Sequence, residues 1–213
     1  MSATRADAVR NRCTLVNAAA DIFATQGLDA PLDDVARAAG LGSATMYRHF
    51  PTRSELVEAV FEDVLTQIIE SAQQYAAEPD AWTAFEGHLR FLCDLQAHDR
   101  GLADLLVSTL PAAPRVERLR ARALAGLSDL IASAQRAGAL RPDFGHQDVV
   151  LILMANAGLL RRTRDHAPDA WMRHLAFLLD GLRSTTSDPA PVLTGGIESS
   201  MAAWAQQLNR TGH

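Results

Sequence analysis

The 213-residue chain contains no lysine, only two cysteines and few aromatic residues, which make up 6% of it. Two cysteines without a Cys-x-x-Cys pair exclude both a disulfide framework and a cysteine zinc site. No stretch approaches the roughly 20 apolar residues that a membrane helix requires, and the N-terminus shows no apolar signal-peptide core. These absences predict a cytoplasmic protein that has no contact with a membrane and carries no bound metal.

The charge is unevenly distributed along the chain. All 20 basic residues are arginine, and 25 acidic residues bring the net charge to −5. Residues 1–53 nevertheless carry six arginines against five aspartates, so this segment is positive while the remainder is acidic. Arginine is well suited to phosphate contacts. Because residues 1–53 are positively charged, the protein could bind nucleic acid although its net charge is negative.

Nearly every segment has the apolar spacing of an α-helix, and none alternates convincingly as a strand does. The spacing of Val9, Cys13, Val16, Ala20 and Phe23 predicts a first helix with those side chains inward, ending at Gly27. The pattern predicts an all-α fold whose further helices cover about 32–39, 43–50, 52–77, 80–98, 100–109, 113–137, 147–165 and 168–184. A linker composition follows from Ser184, and a last amphipathic segment runs from Ile197 to Leu208.

Two short predicted helices joined by AGLG, residues 39–42, have the spacing of a helix-turn-helix. Met46 and Phe50 are four residues apart and should face the core, which leaves the polar side chains of the second short helix outside. A helix of about eight residues fits the major groove of B-DNA. The alternative is an ordinary helical hairpin with a polar surface, since the same geometry also occurs without DNA binding.

The exposed residue types suit particular contacts with DNA. Arg48 could form a bidentate pair with guanine, while Ala44 and Thr45 could meet a thymine methyl. Tyr47 and His49 could bind phosphates. Thr52 is predicted to cap the next helix in a capping-box pattern, and the free amides there, with Arg53, could hold a further phosphate.

The stretch LDDVARAAGLGSATMYRHFPTRSELVEAVF, residues 32–61, resembles the DNA-binding unit of TetR-family transcriptional regulators. Its most specific part is the pattern Tyr-x-His-Phe-x-Thr-Arg-x-x-Leu, and the resemblance extends from about Val9 to Phe61. The resemblance implies a three-helix helix-turn-helix DNA-binding domain (1–54), a larger helical ligand-binding and dimerisation domain (55–186) and a tail (187–213). It implies a homodimeric repressor that binds a pseudo-palindromic operator in double-stranded DNA and is released by a small apolar or amphipathic effector, without a cofactor.

The DNA contacts of the family can be assigned to this chain at the positions where its residues match the family's motif. The resemblance places Ser43, Ala44, Thr45, Tyr47 and Arg48 toward bases or the adjacent backbone, and His49 and Arg53 on phosphates. Two positions depart from the family. Pro31 stands where a capping threonine is usual, which puts that backbone contact in doubt. Asp33 could accept from cytosine N4, or could simply be a solvated charge favoured by the helix dipole.

The resemblance also implies an effector pocket and a dimer interface in the larger domain. Residues 149–160 are apolar nearly all round, and residues 171–182 have a broad apolar face. Packing within the chain is the alternative to an interface for both stretches. Asn156 could form a hydrogen bond across the dimer interface. The predicted interface residues are Leu153, Leu160, Trp171, Leu175, Leu178 and Leu182. The predicted effector residues are Phe85, His88, Leu89, Leu92, Leu106, Leu127 and Met154, with Trp82 beside them. Ordinary core packing is the alternative for the effector residues.

An enzyme and a helical adaptor are the alternatives from other classes of protein. The sequence has no HExxH, no glycine-rich phosphate loop and no Gly-x-Ser-x-Gly turn, so an enzyme would depend on Asp94 and His98, a spacing common on helix surfaces. A helical adaptor would bind another protein through its leucine-rich late helices. The cluster of Arg48, His49 and Arg53 argues against the adaptor.

Overall fold

The computed structural model describes residues 2–27, 29–98, 114–183 and 188–191. Within these ranges the chain forms eight α-helices and a single isolated β-bridge, between Leu140 and Arg183, so the predicted all-α fold is confirmed. The predicted segments 100–109 and 197–208 lie outside the described residues. The helices are α1 (Ser2–Gln26), α2 (Leu32–Ala38), α3 (Ser43–His49), α4 (Arg53–Ala76), α5 (Ala81–His98), α6 (Pro114–Arg136), α7 (His146–Thr163) and α8 (Ala170–Leu182).

The buried face of α1 differs from the predicted one in its first half. Val9 is 60% exposed and Cys13 is exposed, whereas Leu15, Ala19 and Phe23 are fully buried. Helix α1 packs mainly against α2 and α4, and among its described side chains the buried ones begin at Leu15. The predicted helix is therefore confirmed and Phe23 is buried as predicted, but the prediction was wrong for Val9 and Cys13.

Helix ends in the N-terminal part follow the predicted local chemistry. Gly27 and Gly40 have φ values of 87° and 66°, a left-handed conformation that glycine adopts without strain and that ends α1 and α2. At the start of α4, Thr52 Oγ1 accepts from the backbone N–H of Glu55 at 3.3 Å, which is the threonine half of the capping box.

Helix α4 connects the two parts of the molecule. It packs against α1 on one side and against α5 and α6 on the other. A methyl group added to Gly126 would lie 3.0 Å from the Ala72 side chain, so small residues let α6 and α4 approach closely. One apolar cluster extends from α1 to α8. A displacement of the large helices can therefore be transmitted to α4 through packed apolar side chains.

Polar contacts strengthen the packing of α6 on α4. Arg115 pairs with Glu62 at 3.2 Å, and the guanidinium of Arg120 lies 5.1 Å from the centre of the Phe61 ring.

Helices α7 and α8 pack against each other and against α5. The backbone N–H of Arg141 donates to Leu182 at 3.0 Å, which holds the end of α8 beside the α6–α7 connection.

Candidate nucleic-acid interface

The α2–α3 connection is a tight turn fixed by the backbone. Leu41 N donates to Ala36 at 3.0 Å, which closes α2 over the left-handed Gly40. Gly42 is the N-cap of α3, and its carbonyl accepts from Thr45 and Met46 at 2.8 and 3.1 Å. These bonds set the direction of α3 relative to α2 before any DNA is present.

Two side chains anchor α3 to the core. Met46 and Phe50 are buried, as their spacing predicted. The guanidinium of Arg12 on α1 lies 5.0 Å from the centre of the Phe50 ring, a cation–π distance. Because both anchors lie on one side of α3, the residues between them face away from the core.

The predicted base-contacting residues lie on this outer side. Tyr47 is 47% exposed, a large fraction for an aromatic side chain in a helix. The remaining predicted residues divide by burial: Ser43, Ala44 and Arg48 are exposed, and Thr45 and His49 are half-buried. The outer face of α3 is therefore a contiguous polar and aromatic surface carried on a short, firmly anchored helix.

The arginines of the N-terminal part differ in their surroundings. Arg10 and Arg37 pair with the acidic residues three positions earlier in the chain, Asp7 and Asp34. In the described ranges no such pair engages Arg48, which faces solvent beside Tyr47. Its charge is consequently available to a partner, whereas the charges of Arg10 and Arg37 are partly neutralised.

Asp33 has a role that sequence reasoning missed. Its carboxylate accepts a hydrogen bond from the Ser43 hydroxyl at 2.8 Å, which joins the first turn of α2 to the first turn of α3. The ten-residue separation explains why neither helical periodicity nor charge pattern could reveal it. Pro31 is the N-cap of α2 and provides no side-chain hydrogen bond, in line with its departure from the usual threonine.

Arg53 is half-buried and bonds within the protein. Its Nη1 donates to the carbonyl of Ala30 at 2.8 Å, so the first residue of α4 is fixed to the connection between α1 and α2. Thr52 is exposed and caps the same helix. Arg53 therefore positions the start of α4 as well as carrying charge.

The predicted effector residues mostly lie in packed core. Phe85, His88 and Leu89 are fully buried, and Met154 is half-buried. Leu92, Leu127 and Trp82 are also buried, while Leu106 lies outside the described residues. Among these residues His88 is the polar one, and its Nδ1 lies 3.1 Å from the Ser71 hydroxyl.

The predicted interface residues mostly face the inside of their own subunit. Leu153, Leu160, Trp171 and Leu175 are buried within the single chain, and Leu178 and Leu182 are half-buried. Asn156 bonds inside the subunit as well, to Cys93 and Gln96. The exposed apolar side chains of the same two helices are Leu151, Met172 and Phe177, residues that the apolar pattern alone did not separate from the core.

The structure gives little support to a catalytic role of Asp94 and His98. The Asp94 and His98 side chains lie 3.4 Å apart on the surface of α5, and both are accessible to solvent. No cluster of three metal-binding side chains occurs in the ranges described. None of the helices in those ranges is long and apolar enough to span a membrane.

Comparison with known proteins agrees with this geometry. The family model of bacterial regulatory proteins of the tetR family matches residues 15–60, and the model of the C-terminal domain of SbtR-like transcriptional regulators matches residues 80–184. Two curated regulators from Pseudomonas putida, the HTH-type transcriptional regulators TtgW and SrpR, are each 40% identical over 58 residues, 27% of this chain. The matched stretch covers 43% and 27% of their own lengths.

Solved structures match over a greater length. The TetR transcription regulatory protein from Mycobacterium vanbaalenii is 37% identical, with 84% of this chain and 99% of that chain covered and a TM-score of 0.56. The TetR regulator SCO0520 from Streptomyces coelicolor is 32% identical, with 82% and 99% covered and a TM-score of 0.58. FadR from Bacillus subtilis, solved with stearoyl-CoA, shares the fold at 16% identity, 78% and 96% coverage and a TM-score of 0.60. The chain belongs to the TetR family of DNA-binding transcriptional regulators, not to a family of enzymes.

Proposed function

We propose that the protein is a homodimeric repressor that binds a pseudo-palindromic operator and is released by a small-molecule effector, with no resident cofactor. The observation that carries the proposal is the outer face of α3, which presents Tyr47 and Arg48 to solvent while Met46 and Phe50 hold the helix in place. A rigid helix with an exposed arginine and a large aromatic side chain can enter the major groove without rearranging.

Each exposed residue has a role in this proposal. Arg48 reads a guanine through a bidentate pair, and Ala44 and Thr45 contact bases or their methyl groups. Tyr47 and His49 bind phosphates, as do the free amides at Thr52. Ser43 reaches the DNA while its hydroxyl remains bonded to Asp33, so its orientation is set in advance. Arg53 contributes chiefly by fixing α4 to the α1–α2 connection.

The exposed faces of α7 and α8 support dimerisation. Leu151, Ala155 and Gly158 follow one another on the outer side of α7, and Phe177 and Gly181 lie on the outer side of α8. Phe177 is 63% exposed, and the space in front of Gly181 is open, so a second helix pair can approach closely. Packing these faces against their symmetry mates makes a four-helix interface, with the two α3 helices about 34–36 Å apart on the DNA.

Effector control is supported by the route from the large domain to α4. Helix α6 contacts α4 through Arg115 and Arg120, and α4 begins at Arg53, which is bonded to the α1–α2 connection. Binding of a molecule between the large helices would move α6 and hence α4, changing the spacing of the two α3 helices. A fold neighbour, FadR, was solved with stearoyl-CoA, which is consistent with a ligand-binding large domain. Such coupling is reciprocal and is typically ~1–3 kcal/mol.

The first test is DNA binding by the full chain, measured by fluorescence anisotropy with DNA from around its own gene and with a scrambled duplex, at two salt concentrations. We expect selective, salt-sensitive binding by a dimer. Equal affinity for both duplexes by folded, ligand-free protein would contradict the proposal and favour the adaptor, whose partner would then bind the exposed faces of α7 and α8.

A further inference from the structure

Four buried polar side chains lie inside the large domain, within the described part of the chain, and they form two pairs. Ser71 and His88 make one pair, with Oγ and Nδ1 3.1 Å apart. Gln96 and Asn156 make the other, in which Asn156 Nδ2 donates to Gln96 Oε1 at 3.0 Å. Burial lowers the pKa of His88 to about 4, so all four side chains are uncharged at neutral pH.

Among the described residues each pair leaves one nitrogen without a partner, His88 Nε2 in the first and Gln96 Nε2 in the second. Both side chains are 0% exposed, so solvent does not satisfy them. An unsatisfied buried polar atom destabilises a protein, and native structures keep few of them. Two such atoms on the same helix, α5, in a family whose fold neighbours include a ligand complex, point to a missing hydrogen-bonding partner.

The orientation of the Gln96 amide follows from its neighbours. Asn156 Nδ2 also donates to the backbone carbonyl of Cys93 at 3.2 Å, so the atom of Asn156 that faces Gln96 must be its nitrogen. Gln96 therefore turns its oxygen toward Asn156 and its NH₂ group away from Asn156, where no described residue accepts a hydrogen bond from it. The Ser71 hydroxyl and His88 Nδ1 lie within hydrogen-bond distance, and the tautomer in which the hydroxyl donates to Nδ1 carries the ring N–H at Nε2; the site is built on this tautomer. Both orphan atoms are then donors and require acceptors.

We propose that His88 Nε2 and Gln96 Nε2 hold the effector, and that the effector is an uncharged, elongated, mostly apolar molecule with an oxygen acceptor near each end. This rests on the proposed function, because it names the ligand class of the same domain. Eight residues of α5 separate the two donors, which corresponds to about 12 Å along the helix axis. Leu89 and Leu92 lie between them and are buried.

The surroundings select against charge. Tyr75 meets the His88 ring edge-on at 6.4 Å between ring centres, and Phe91 stacks on it at 6.3 Å. At neutral pH none of the four buried polar side chains carries a charge. An ammonium group placed here would lose its hydration without gaining a counter-charge, and a carboxylate would gain one only by protonating His88, whose burial favours the neutral ring. An ester, ketone or ether oxygen loses little and gains a hydrogen bond.

Calorimetric titration of the full chain, without DNA, with three ten-carbon probes tests the proposal. Dimethyl sebacate has an acceptor at each end, methyl decanoate has one, and sebacic acid at pH 7.5 is a dianion. We expect the diester to bind about tenfold or more tighter than the monoester, since it makes one more buried hydrogen bond, and the diacid not to bind. Failure of the diester to bind, or equal binding of the diacid, would overturn the proposal.

Variants assign the two donors. Gln96→Met should lower diester affinity to that of the monoester, and the double variant Ser71→Ala/His88→Leu should have a similar effect. Gln73→Met, at an exposed position of α4, is the matched control and should leave both affinities unchanged. Retention of the diester preference by both α5 variants would refute the assignment.

A parallel operator measurement separates this proposal from the proposed function. Selective DNA binding without diester binding would overturn the ligand site and leave the DNA-binding function intact. Diester binding with the predicted variant effects, but no change in operator affinity, would support the site and contradict effector-controlled release.

Discussion

Burial of neutral His88 makes the stability of the protein depend on pH in a predictable direction. Burial lowers the pKa of His88 from 6.5 to about 4, because α5 places the ring in the core. Between these two values the unfolded chain binds a proton and the folded chain does not. Lowering the pH through this window therefore stabilises the unfolded state, and the free energy of unfolding must fall as the pH falls.

The magnitude follows from the two pKa values. From pH 7 to pH 5 the unfolded imidazole becomes protonated while the buried ring stays neutral, which lowers the free energy of unfolding by about 2 kcal/mol. Carboxylates also titrate toward lower pH, so the effect of His88 must be isolated by difference. The variant Ser71→Ala/His88→Leu removes the buried pair and leaves the acidic residues unchanged.

Urea unfolding at pH 7 and pH 5, at fixed ionic strength and protein concentration, measures the difference. The wild type should lose about 2 kcal/mol more than the double variant over this interval. His166→Gln, at an exposed position, is the control and should behave as the wild type does. Equal losses in the wild type and the double variant would refute the buried, neutral state of His88.

Further predictions concern the anchor of α3, the link between α2 and α3, and the dimer. Met46→Ala should lower the free energy of unfolding by about 2–5 kcal/mol, measured by urea unfolding, because a fully buried side chain is truncated; a loss below ~1 kcal/mol would contradict its anchoring role. Asp33→Ala should weaken operator affinity in anisotropy while leaving the fold unchanged by circular dichroism, since Ser43 loses its partner. Unchanged binding would contradict a role of this hydrogen bond in recognition, and tighter binding would show that repulsion of phosphate by Asp33 outweighs it. Phe177→Glu should convert the dimer to monomer in sedimentation velocity, because a charge would be buried at the interface; a dimer of unchanged strength would place the interface elsewhere.

Much of the fold could be predicted from local pattern. The predicted segments 80–98, 113–137 and 147–165 match α5, α6 and α7 to within two residues at each end. Glycine and proline mark the ends of these segments, and their effect on the backbone is local. The cap of α4 was predictable for the same reason, since Thr52 acts on the residues directly after it.

The side chains that face a neighbouring element were harder to predict. Val9 and Cys13 have the spacing of a buried face, but both side chains are exposed. Trp171 and Leu175 form the apolar stripe that was predicted for the dimer, yet that stripe packs within the subunit. Periodicity predicts which residues share a face of a helix but not which element packs on that face. Whether the face is buried therefore depends on tertiary packing, which the pattern of one helix does not contain.

The candidate site divides in the same way. The outer face of α3 followed from the spacing of Met46 and Phe50, a property of one helix. The hydrogen bond from Ser43 to Asp33 and the partners of Gln96 required two elements to be placed together. Gln96 did leave a signal, because it shares a helical face with Leu89 and Leu92 and is, beside His88, a polar residue on the buried side of α5.

The most direct test of DNA recognition by α3 compares wild type, Arg48→Ala and Arg37→Ala on the selective duplex, on single-base variants of it and on a scrambled duplex. Arg37 is the matched control, since its replacement removes the same charge from an arginine already paired with Asp34. Arg48→Ala should lose ~1–3 kcal/mol on the selective duplex, lose much less on the scrambled one and no longer distinguish the base at one position. Equal losses for Arg48→Ala and Arg37→Ala, on every duplex, would show that Arg48 supplies only charge and would contradict base reading by α3.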